Sequence, residues 1–554
     1  MASIRDTLRT AIAEARDRAI AAGELTLPAG AKLPPIGIER PSRPEHGDFA
    51  TNAAMQLAPL ARAAPLQIAE TLRNTLGTPA GVRATSVAPP GFLNLHLDPT
   101  WVAAQVGVIR QEGPDYGRVR VPEPHRINVE FVSANPTGPL TVGNARGAFV
   151  GDLLSRVLEA VGHQVTREYY FNDFNAQVRN LGLSVAARRN GTEVPEDGYH
   201  GDYVGELAAE VPADVWEAAM AEGADPGEVL GRWASERIRA GIEASLQALG
   251  VRFDVWKSES SLHAEGWVPR ALDELRAKGD VYDADGATWF RAEQYGDEKD
   301  RVVIRSNGQP TYFASDIGYL AEKFSRGFDE LIYLWGEDHH GTVARNRAAA
   351  QSLGFKAENV HYLLMAWVRF VRDGEEVGMS KRAGEFVSLD ELLGEIGPDA
   401  ARWFFGSRAP STGIDFDIEL AKRQSAENPV YYVQYAHARA CSILRNGTQA
   451  GIAADASEAG ALLQHPAEQT LVRKLLDLPD VVAGAAERRE THDLTRYLLE
   501  VAQLFSQFYR DCRVLPDEPA ELPLSGARLA LTDATRQVLA NGLALLGISA
   551  PESM

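Results

Sequence analysis

Residues 126–171 of the chain read RINVEFVSANPTGPLTVGNARGAFVGDLLSRVLEAVGHQVTREYYF. The run Arg126–Ala134 is rich in β-branched and aromatic side chains, which is typical of a strand, and a loop of prolines and glycines follows it. Apolar residues at three- and four-residue spacing predict a helix over Ala145–Val161, and His163–Phe171 predicts a second strand. This order of strand, loop, helix and strand indicates a βαβ unit, so we expect a parallel sheet.

Two later segments predict further buried strands of the same sheet, with helices before and between them. They are ELIYLWGEDHH at Glu330–His340 and VHYLLMAWVRF at Val360–Phe370. The stretch from about residue 176 to residue 300 is helical by pattern and then β-rich, which indicates an insertion. We therefore expect an α/β fold, with a Rossmann-like parallel-sheet domain that carries this insertion.

The regions on either side of the sheet predict two further domains. Helical patterns at Ile4–Ala21 and Pro65–Leu76 and a strand at Gly91–Leu97 predict an N-terminal α+β domain. The turn residues of Gln111–Arg118 are typical of a linker. From Asn428 to the end apolar residues recur at helical spacing, which predicts an α-helical bundle. The predicted domains are 1–118, 119–427 and 428–554.

Composition limits the class of protein. The chain has 554 residues, a formal net charge of −20, 45 % hydrophobic residues and two cysteines. The acidic balance argues against tight non-specific binding of nucleic acid, although a local basic patch can still bind it. Cys441 and Cys512 lie outside any CxxC pair, which argues against a disulfide framework and a cysteine zinc site. No apolar run approaches the ~20 residues of a membrane span, and the acidic residues in Met1–Ala22 make a poor transit peptide, so we expect a cytoplasmic protein.

The loop Asn135–Arg146 is the first candidate for chemistry. It leaves a strand, and Gly143 opens the helix that follows. A glycine there lets a nucleotide lie against the backbone, and the first N–H groups of a helix can bind phosphate. An ordinary strand-to-helix turn is the alternative.

The second candidate is GMSKRAGEF at Gly378–Phe386, a glycine-containing loop before a helix that starts near Leu389. Lys381 and Arg382 could neutralise charge on a phosphate during its transfer. Taken alone, the segment is more typical of a mobile basic surface loop.

Together the two loops resemble the two signature motifs of class I aminoacyl-tRNA synthetases, known as HIGH and KMSK. The text around them resembles the bacterial arginyl-tRNA synthetase family, in the order found in that family. The matching segments are VEFVSANPTGPLTVGNARGAFVGD (Val129–Asp152), TYFASDIGYL (Thr311–Leu320), WGEDHHG (Trp335–Gly341), MSKRAG (Met379–Gly384), GPDAARWFF (Gly397–Phe405) and NPVYYVQYAHAR (Asn428–Arg439). HGDFATNAAMQLA (His46–Ala58) and GFLNLHL resemble the additional N-terminal domain of the family.

The resemblance implies ATP-dependent ligation of L-arginine to tRNA(Arg) through an arginyl-adenylate, with release of pyrophosphate and AMP. ATP would lie between Thr141–Asn144 and Gly378–Lys381, and Mg²⁺ would share the phosphate charge. The residues implied in catalysis are Thr141, Asn144, Ser380 and Lys381. Those implied in ATP binding are Thr141, Gly143, Asn144, Met379 and Lys381.

The resemblance also implies an arginine pocket, made by Glu130, Asn135, Tyr312, Asp316 and Asp338. A carboxylate such as Asp316 can accept two parallel hydrogen bonds from a guanidinium, which distinguishes arginine from lysine. An N-cap of a helix over Ile317–Lys323 is an alternative role for Asp316, and the two roles could coexist. We expect no metal site at His339 and His340, because neighbouring side chains at a strand end point in opposite directions.

Contacts with tRNA are implied at both ends of the chain. Phe92 and Asn94 match the region that reads the tRNA elbow, where an exposed aromatic ring and an amide would suit base recognition. A core role for Phe92 and a strand-edge role for Asn94 are the alternatives. Tyr435 and Arg439 would contact the anticodon region, with Tyr431 and His437 beside them, although helical spacing predicts that at least one of the two tyrosines is core. Family membership favours a monomer.

The signatures depart from the family pattern. The first reads Thr141-Val142-Gly143-Asn144 and has neither histidine, and the second has Gly378 in place of its first lysine. Arg382 or Arg146 is our hypothesis for the compensating charge. Two other functions stay open: a non-catalytic tRNA-binding paralogue, and a class I-like nucleotidyltransferase for another cationic carboxylic acid.

Overall fold

The computed structural model describes residues 3–28, 30–173, 175–372, 374–376, 388–516, 518 and 521–554. The N-terminal region has helices packed on a three-stranded antiparallel sheet of order β1-β3-β2. Its elements are α1 (Ile4–Ala21), β1 (Phe49–Thr51), α2 (Ala53–Ala61), α3 (Pro65–Leu76), β2 (Val82–Ala88), β3 (Phe92–Leu97) and α4 (Pro99–Glu112). The predicted helices at Ile4–Ala21 and Pro65–Leu76 and the predicted strand are confirmed.

The middle region is built on a five-stranded parallel sheet of order β11-β10-β4-β5-β6. Its elements up to the second half of the sheet are β4 (Arg126–Glu130), α5 (Val142–Ala160), β5 (Gln164–Phe171), α6 (Ala176–Asn190), α7 (Asp202–Glu210), α8 (Ala213–Ala219), α9 (Pro226–Ala248), β6 (Val255–Ser258), α10 (Glu259–Ala264), α11 (Trp267–Ala277), β7 (Val281–Ala284), β8 (Ala287–Phe290) and β9 (Arg301–Ile304). Then follow α12 (Tyr312–Ser325), β10 (Glu330–Gly336), α13 (His340–Ser352), β11 (Val360–Met365), β12 (Val368–Arg372), β13 (Glu375–Glu376), α14 (Leu389–Gly406), β14 (Ile414–Asp417) and α15 (Ile418–Lys422).

The predicted α/β fold is confirmed, and the strand order locates a ligand cleft. From β4 the chain moves to β5 on one side, whereas β10 lies on the other side of β4. The strand order therefore reverses between β4 and β10, and ligands of open parallel sheets bind at such a point, beyond the carboxyl ends of the strands.

Two predictions in this region were wrong in detail. The stretch predicted as one insertion contains β6, a strand of the parallel sheet, so helices α6–α9 precede that strand and the antiparallel sheet β7-β8-β9 follows it. The predicted strand Val360–Phe370 is two strands, because β12 pairs with β13 and β14 in a separate sheet. The break comes at Ala366, whose N–H donates to the carbonyl of Pro410 (2.9 Å) and whose carbonyl accepts from Arg146 (2.8 Å).

The C-terminal region is helical, as predicted. Its helices are α16 (Pro429–Gln449), α17 (Ala459–Leu462), α18 (Pro466–Leu475), α19 (Leu478–Arg488), α20 (His492–Asp511) and α21 (Leu522–Leu546). In α20 the residues Leu494, Leu498, Val501 and Phe505 are buried at three- and four-residue spacing and so form one apolar face of the bundle.

The segment predicted as a linker is anchored to this bundle. Gln111 and Glu112 end α4, which packs against α17, α18 and α21. Tyr116 is buried, and its hydroxyl donates to the carbonyl of Leu475 (3.1 Å). The amide of Asn541 donates to the carbonyls of Gly113 and Tyr116 (2.9 Å each). The boundary at residue 118 stays a prediction, but α4 contacts the C-terminal helices.

Ion pairs also join the first region to the last. Arg473 on α18 pairs with Asp48 (2.7 Å), and Arg40 pairs with Asp477. Arg110 on α4 pairs with Asp533 on α21 (2.8 Å). Within the described residues, no helix has both the length and the apolar character needed to cross a bilayer.

Candidate active site

A cleft of about 1260 Å³ lies at the carboxyl ends of β4, β10 and β11, at the reversal of strand order. One wall is the loop from β4 to α5, and α6 with the segment before α7 forms another. The lining residues used below are Ser133, Asn135, Gly143, Asn144, Arg146, Glu337, Asp338 and Trp367. A cavity of this size accommodates a nucleotide together with a second substrate.

The first signature loop forms the amino terminus of α5, a helix of 19 residues. The Asn144 side-chain oxygen accepts hydrogen bonds from the Thr141 backbone N–H (3.1 Å) and hydroxyl (3.0 Å). Gly143 and Asn144 line the cleft, whereas the Thr141 hydroxyl is turned towards Asn144. The positive end of the helix dipole therefore faces the cleft and favours an anion there.

The second signature, with Met379, Ser380 and Lys381, lies outside the described residues, as does Arg382. The chain that follows it is fixed to the first signature. Ser388 forms an antiparallel bridge with Thr141, and the Leu389 N–H donates to the carbonyl of Leu140 (3.0 Å). Helix α14 begins at Leu389, as predicted.

Arg146, one hypothesis for the charge that compensates for the missing lysine, lies in the cleft lining but is bonded to backbone carbonyls. It is fully buried, and its terminal nitrogens donate to the carbonyls of Ala366, Ala409 and Thr412 (2.8 Å each). Burial lowers the pKa of the guanidinium to about 10. The side chain therefore joins α5 to the two loops that contain Ala366 and Ala409–Thr412, and both of its terminal nitrogens already donate to carbonyls.

Asp316 lies on α12 and is half-buried. That helix starts at Tyr312, and its N-cap is Thr311, whose side chain accepts from the Ala314 N–H (3.3 Å). Asp316 is therefore in the second turn, and the N-cap alternative was wrong. Burial, with the nearby carboxylates of Glu259 and Glu130, raises the pKa of Asp316 to about 7, against an opposing effect of Arg345. Among the described residues, Asp316 has no ion pair within 4.0 Å.

Glu259 is a further candidate residue, which the sequence did not indicate and which lies near Asp316. It is the first residue of α10, directly after β6, and it is buried. Burial raises the pKa of its carboxyl group, although hydrogen bonds with Ser315 and Tyr170 partly oppose this. The pattern of residues 176–300 predicts one insertion, so the sequence VWKSES does not indicate the strand β6 or the carboxylate that follows it. We call Asp316, Glu259 and Tyr170 the acidic pocket.

Glu130, at the end of β4, has an internal partner. Lys323 donates to its carboxylate (2.6 Å), and both side chains are buried. The ammonium of Lys323 also lies over the rings of Tyr319 (4.3 Å) and Tyr333 (4.1 Å). The other carboxylate oxygen accepts from the Ser133 hydroxyl (3.1 Å), so Glu130 supports the cleft wall that Ser133 lines.

The other predicted arginine-binding residues lie at different places. Asn135 and Asp338 line the cleft, and the Asn135 amide donates to Gln177 (2.7 Å). Tyr312 is 63 % exposed on the first turn of α12 and is not part of the cleft lining.

His339 and His340 lie in a 3₁₀ turn and at the start of α13, not at a strand end as the sequence argument assumed. In the described part of the chain, no group of three or more histidine, cysteine, aspartate or glutamate side chains is placed to hold a metal ion.

The predicted elbow residues lie on β3. Phe92 is half-buried, and Asn94 is only 3 % exposed on the central strand of the N-terminal sheet. The structure therefore does not present the Asn94 amide at the surface as expected, and the strand-edge alternative was also wrong.

The predicted anticodon residues form a patch on α16 and α20. Tyr435 is exposed, its ring stacks on that of Tyr431 (6.3 Å between centroids), and its hydroxyl accepts from Arg439 (2.9 Å). The Arg439 guanidinium also lies 5.4 Å from the ring of Tyr509, an exposed residue that the sequence reasoning missed. His437 is buried against the Pro551 carbonyl (2.9 Å), so it is not part of this surface. Neither Tyr431 nor Tyr435 is core, contrary to the expectation.

Three family models match the chain. They are described as the arginyl tRNA synthetase N-terminal domain (residues 2–97), the class I tRNA synthetase (R) catalytic domain (residues 107–194 and 225–403) and the DALR anticodon binding domain (residues 433–554).

Curated relatives and solved structures agree with these matches. The chain is 44 % identical over 562 residues to an arginine–tRNA ligase of Desulfitobacterium hafniense, with 100 % of this chain and 99 % of the relative covered. It is 45 % identical over 558 residues to that of Moorella thermoacetica, with 99 % and 98 % covered. The arginyl-tRNA synthetase structure of Thermus thermophilus superposes with a TM-score of 0.78 at 27 % identity, with 99 % of this chain and 100 % of that chain covered.

Proposed function

Because the chain belongs to the arginyl-tRNA synthetase family, enzymes that ligate arginine to tRNA, we propose that its acidic pocket receives the guanidinium of the arginine substrate. The observation that carries this proposal is the state of Asp316. It is a half-buried carboxylate with a pKa raised to about 7, and among the described residues it has no ion pair. A buried carboxylate of this kind is stabilised by a ligand that brings a positive charge.

The geometry of the ligand fits the donors and acceptors of the pocket. A guanidinium is planar and presents several N–H groups, so it can donate to Asp316 and Glu259 at once. The compact ammonium of lysine cannot form the same fork. Asn135 and Asp338 line the cleft towards which the other end of the amino acid would extend, where Asp338 can accept from its α-ammonium group.

ATP would bind with its phosphates at the amino terminus of α5, over Gly143 and Asn144. Thr141, Met379, Ser380 and Lys381 complete the proposed site, and Lys381 would neutralise charge on the phosphates. Mg²⁺ would enter with ATP and neutralise part of the triphosphate charge. The exposed carboxylate of Glu337 in the cleft lining fits this ion, which prefers oxygen ligands and keeps several waters.

The proposed reaction has two steps. The arginine carboxylate attacks the α-phosphorus of ATP, the bond to the β-phosphate oxygen breaks, and pyrophosphate leaves. The 2′-hydroxyl of the terminal adenosine of tRNA then attacks the carbonyl carbon of the adenylate, loses its proton, and AMP leaves. The protein supplies position and electrostatic stabilisation in both steps.

The tRNA partner would meet the protein at three places: the cleft, the N-terminal domain around Phe92, and the patch of Tyr435, Arg439 and Tyr509. Exposed rings beside a guanidinium offer stacking and charge to unpaired bases. We further propose that the enzyme acts in the cytoplasm as a monomer. Nothing in the comparisons supports the alternative of a non-catalytic paralogue.

Charging of tRNA by the purified protein tests the proposal. We expect arginine to be attached in the presence of ATP, Mg²⁺ and tRNA(Arg), and lysine and citrulline to be rejected. Citrulline is the sharper control, because it keeps the shape of arginine but has a neutral urea group, which cannot satisfy two carboxylates. Attachment of citrulline at a comparable rate would refute the role given to the acidic pocket, and absence of any charging would refute the activity.

A further inference from the structure

Trp367 is an exposed aromatic side chain in the wall of the cleft. It follows β11 and precedes β12, it lines the cavity, and 57 % of its surface is exposed. Large apolar surface left open in a ligand cleft marks a binding surface more often than a side chain without a role. The proposed contacts with arginine and with the phosphates do not use this ring.

The indole is held firmly from below. A Cβ atom built on Gly413 would lie 2.6 Å from two carbon atoms of the ring, so only glycine fits under it. The Ile414 N–H donates to the Trp367 carbonyl (3.1 Å), and Arg146 binds the carbonyls of Ala366 and Thr412 (2.8 Å each). Ala366 and Thr412, which precede Trp367 and Gly413, therefore bind the same buried guanidinium. Because Arg146 belongs to α5, this fixes the indole ring relative to that helix.

The charge beside the ring is balanced. The Arg369 guanidinium lies 5.7 Å from the ring centroid and pairs with Asp415 (2.7 Å). A flat and uncharged group is therefore the best match for this surface, and base–aromatic stacking is the interaction of this type with the largest contact area.

We propose that Trp367 is a stacking platform for an adenine base in the cleft. The inference rests on the proposed function, in which both ATP and the 3′-terminal adenosine of tRNA bring an adenine to this cavity. Trp367 is a positioning residue for one of them, because the ring sets where the base lies relative to the α5 amino terminus.

Two substitutions separate stacking from packing. Trp367→Phe keeps an aromatic face, whereas Trp367→Leu keeps apolar volume without one. Stacking of one base is worth ~1–3 kcal/mol, so we expect Trp367→Leu to raise one KM roughly 5- to 100-fold and Trp367→Phe to recover most of that loss. Trp216→Ala is the matched control, because Trp216 also lies against an arginine (Arg189, 4.7 Å) but is outside the cleft lining.

The KM values for ATP and for tRNA are measured separately in the full aminoacylation reaction, and thermal melting checks that each variant is folded. A higher KM for ATP alone assigns the platform to the nucleotide, and a higher KM for tRNA alone assigns it to the terminal adenosine. Equal effects of the Phe and Leu variants, or a change in kcat with both KM values unchanged, would overturn the inference. If the wild-type protein charges tRNA with arginine while this result is obtained, only the role of Trp367 fails and the proposed function stands.

Discussion

Replacing Asp316 with asparagine should make the free enzyme more stable and the arginine site weaker. The carboxyl pKa is about 7 in the folded protein and 3.8 without the protein environment. Ionising this group in the folded state therefore costs up to about 4 kcal/mol above pH 7. Asparagine has a similar shape and no charge, so the variant avoids this cost. We expect a gain of about 2–4 kcal/mol in the free energy of unfolding of the catalytic domain at pH 8.

The difference in the free energy of unfolding between Asp316→Asn and the wild type should depend on pH. Because the folded pKa lies above the unfolded one, stability falls as the pH rises from about 4 to 7 and is then constant. The advantage of Asp316→Asn should thus be present at pH 8 and disappear near pH 4. Urea unfolding without arginine measures it, and Asp338→Asn, an exposed carboxylate in the same cleft, is the control that should show no gain.

The same substitution removes one of the two carboxylates that are proposed to accept hydrogen bonds from the guanidinium of arginine. Loss of a buried charged partner costs about 2–5 kcal/mol, so KM for arginine should rise on the order of 100-fold or more at pH 8. Arginine binding to the wild type should weaken below pH 7, because the carboxyl group must lose a proton first. A variant that is less stable at pH 8 but binds arginine normally would refute both the raised pKa and the place of Asp316 in the pocket.

Three other substitutions have separate outcomes. Lys381→Ala should lower kcat/KM, because about 2–4 kcal/mol of transition-state stabilisation is lost. A rate change under threefold in single-turnover assays would show that Lys381 is outside the site. Arg146→Met leaves three carbonyls without their donor and should destabilise the fold by about 2–4 kcal/mol in denaturant titrations; unchanged stability would contradict its structural role. Tyr509→Ala should raise KM for tRNA, because about 1–3 kcal/mol of stacking on a base is lost, and should leave KM for ATP unchanged. The control is Tyr282→Ala, which replaces a tyrosine of the β7-β8-β9 sheet and should change neither KM.

Much of the fold could be predicted because local patterns and tertiary packing agree. The loop Asn135–Arg146 lies between an apolar strand and a long apolar helix, and the spacing of apolar residues in both elements is clear in the sequence. β6 was missed because a strand of four residues has too few positions to show an alternation of polar and apolar side chains, and its one partner strand, β5, lies far away in the sequence. The break at Ala366 was missed because it depends on a hydrogen bond from Arg146, which is 220 residues away in sequence.

The site could be predicted less completely, for the same reason. Residue types and the family resemblance pointed to Asp316, and its half-buried place near two carboxylates supports that role. They could not show that Lys323 forms an ion pair with Glu130, that Asn94 is buried, or that Tyr312 is exposed and outside the cleft lining. Each of these depends on which side of an element meets a distant neighbour, and no single segment contains that information.

The ion pairs between Arg473 and Asp48 and between Arg40 and Asp477 hold the N-terminal sheet against the C-terminal helices, and α4 adds a third pair through Arg110 and Asp533. If Phe92 and the patch of Tyr435, Arg439 and Tyr509 contact tRNA as proposed, these pairs set the distance between the two contact surfaces. We therefore expect a tRNA with a shortened anticodon stem to contact only one of the two surfaces and to have a higher KM than intact tRNA(Arg).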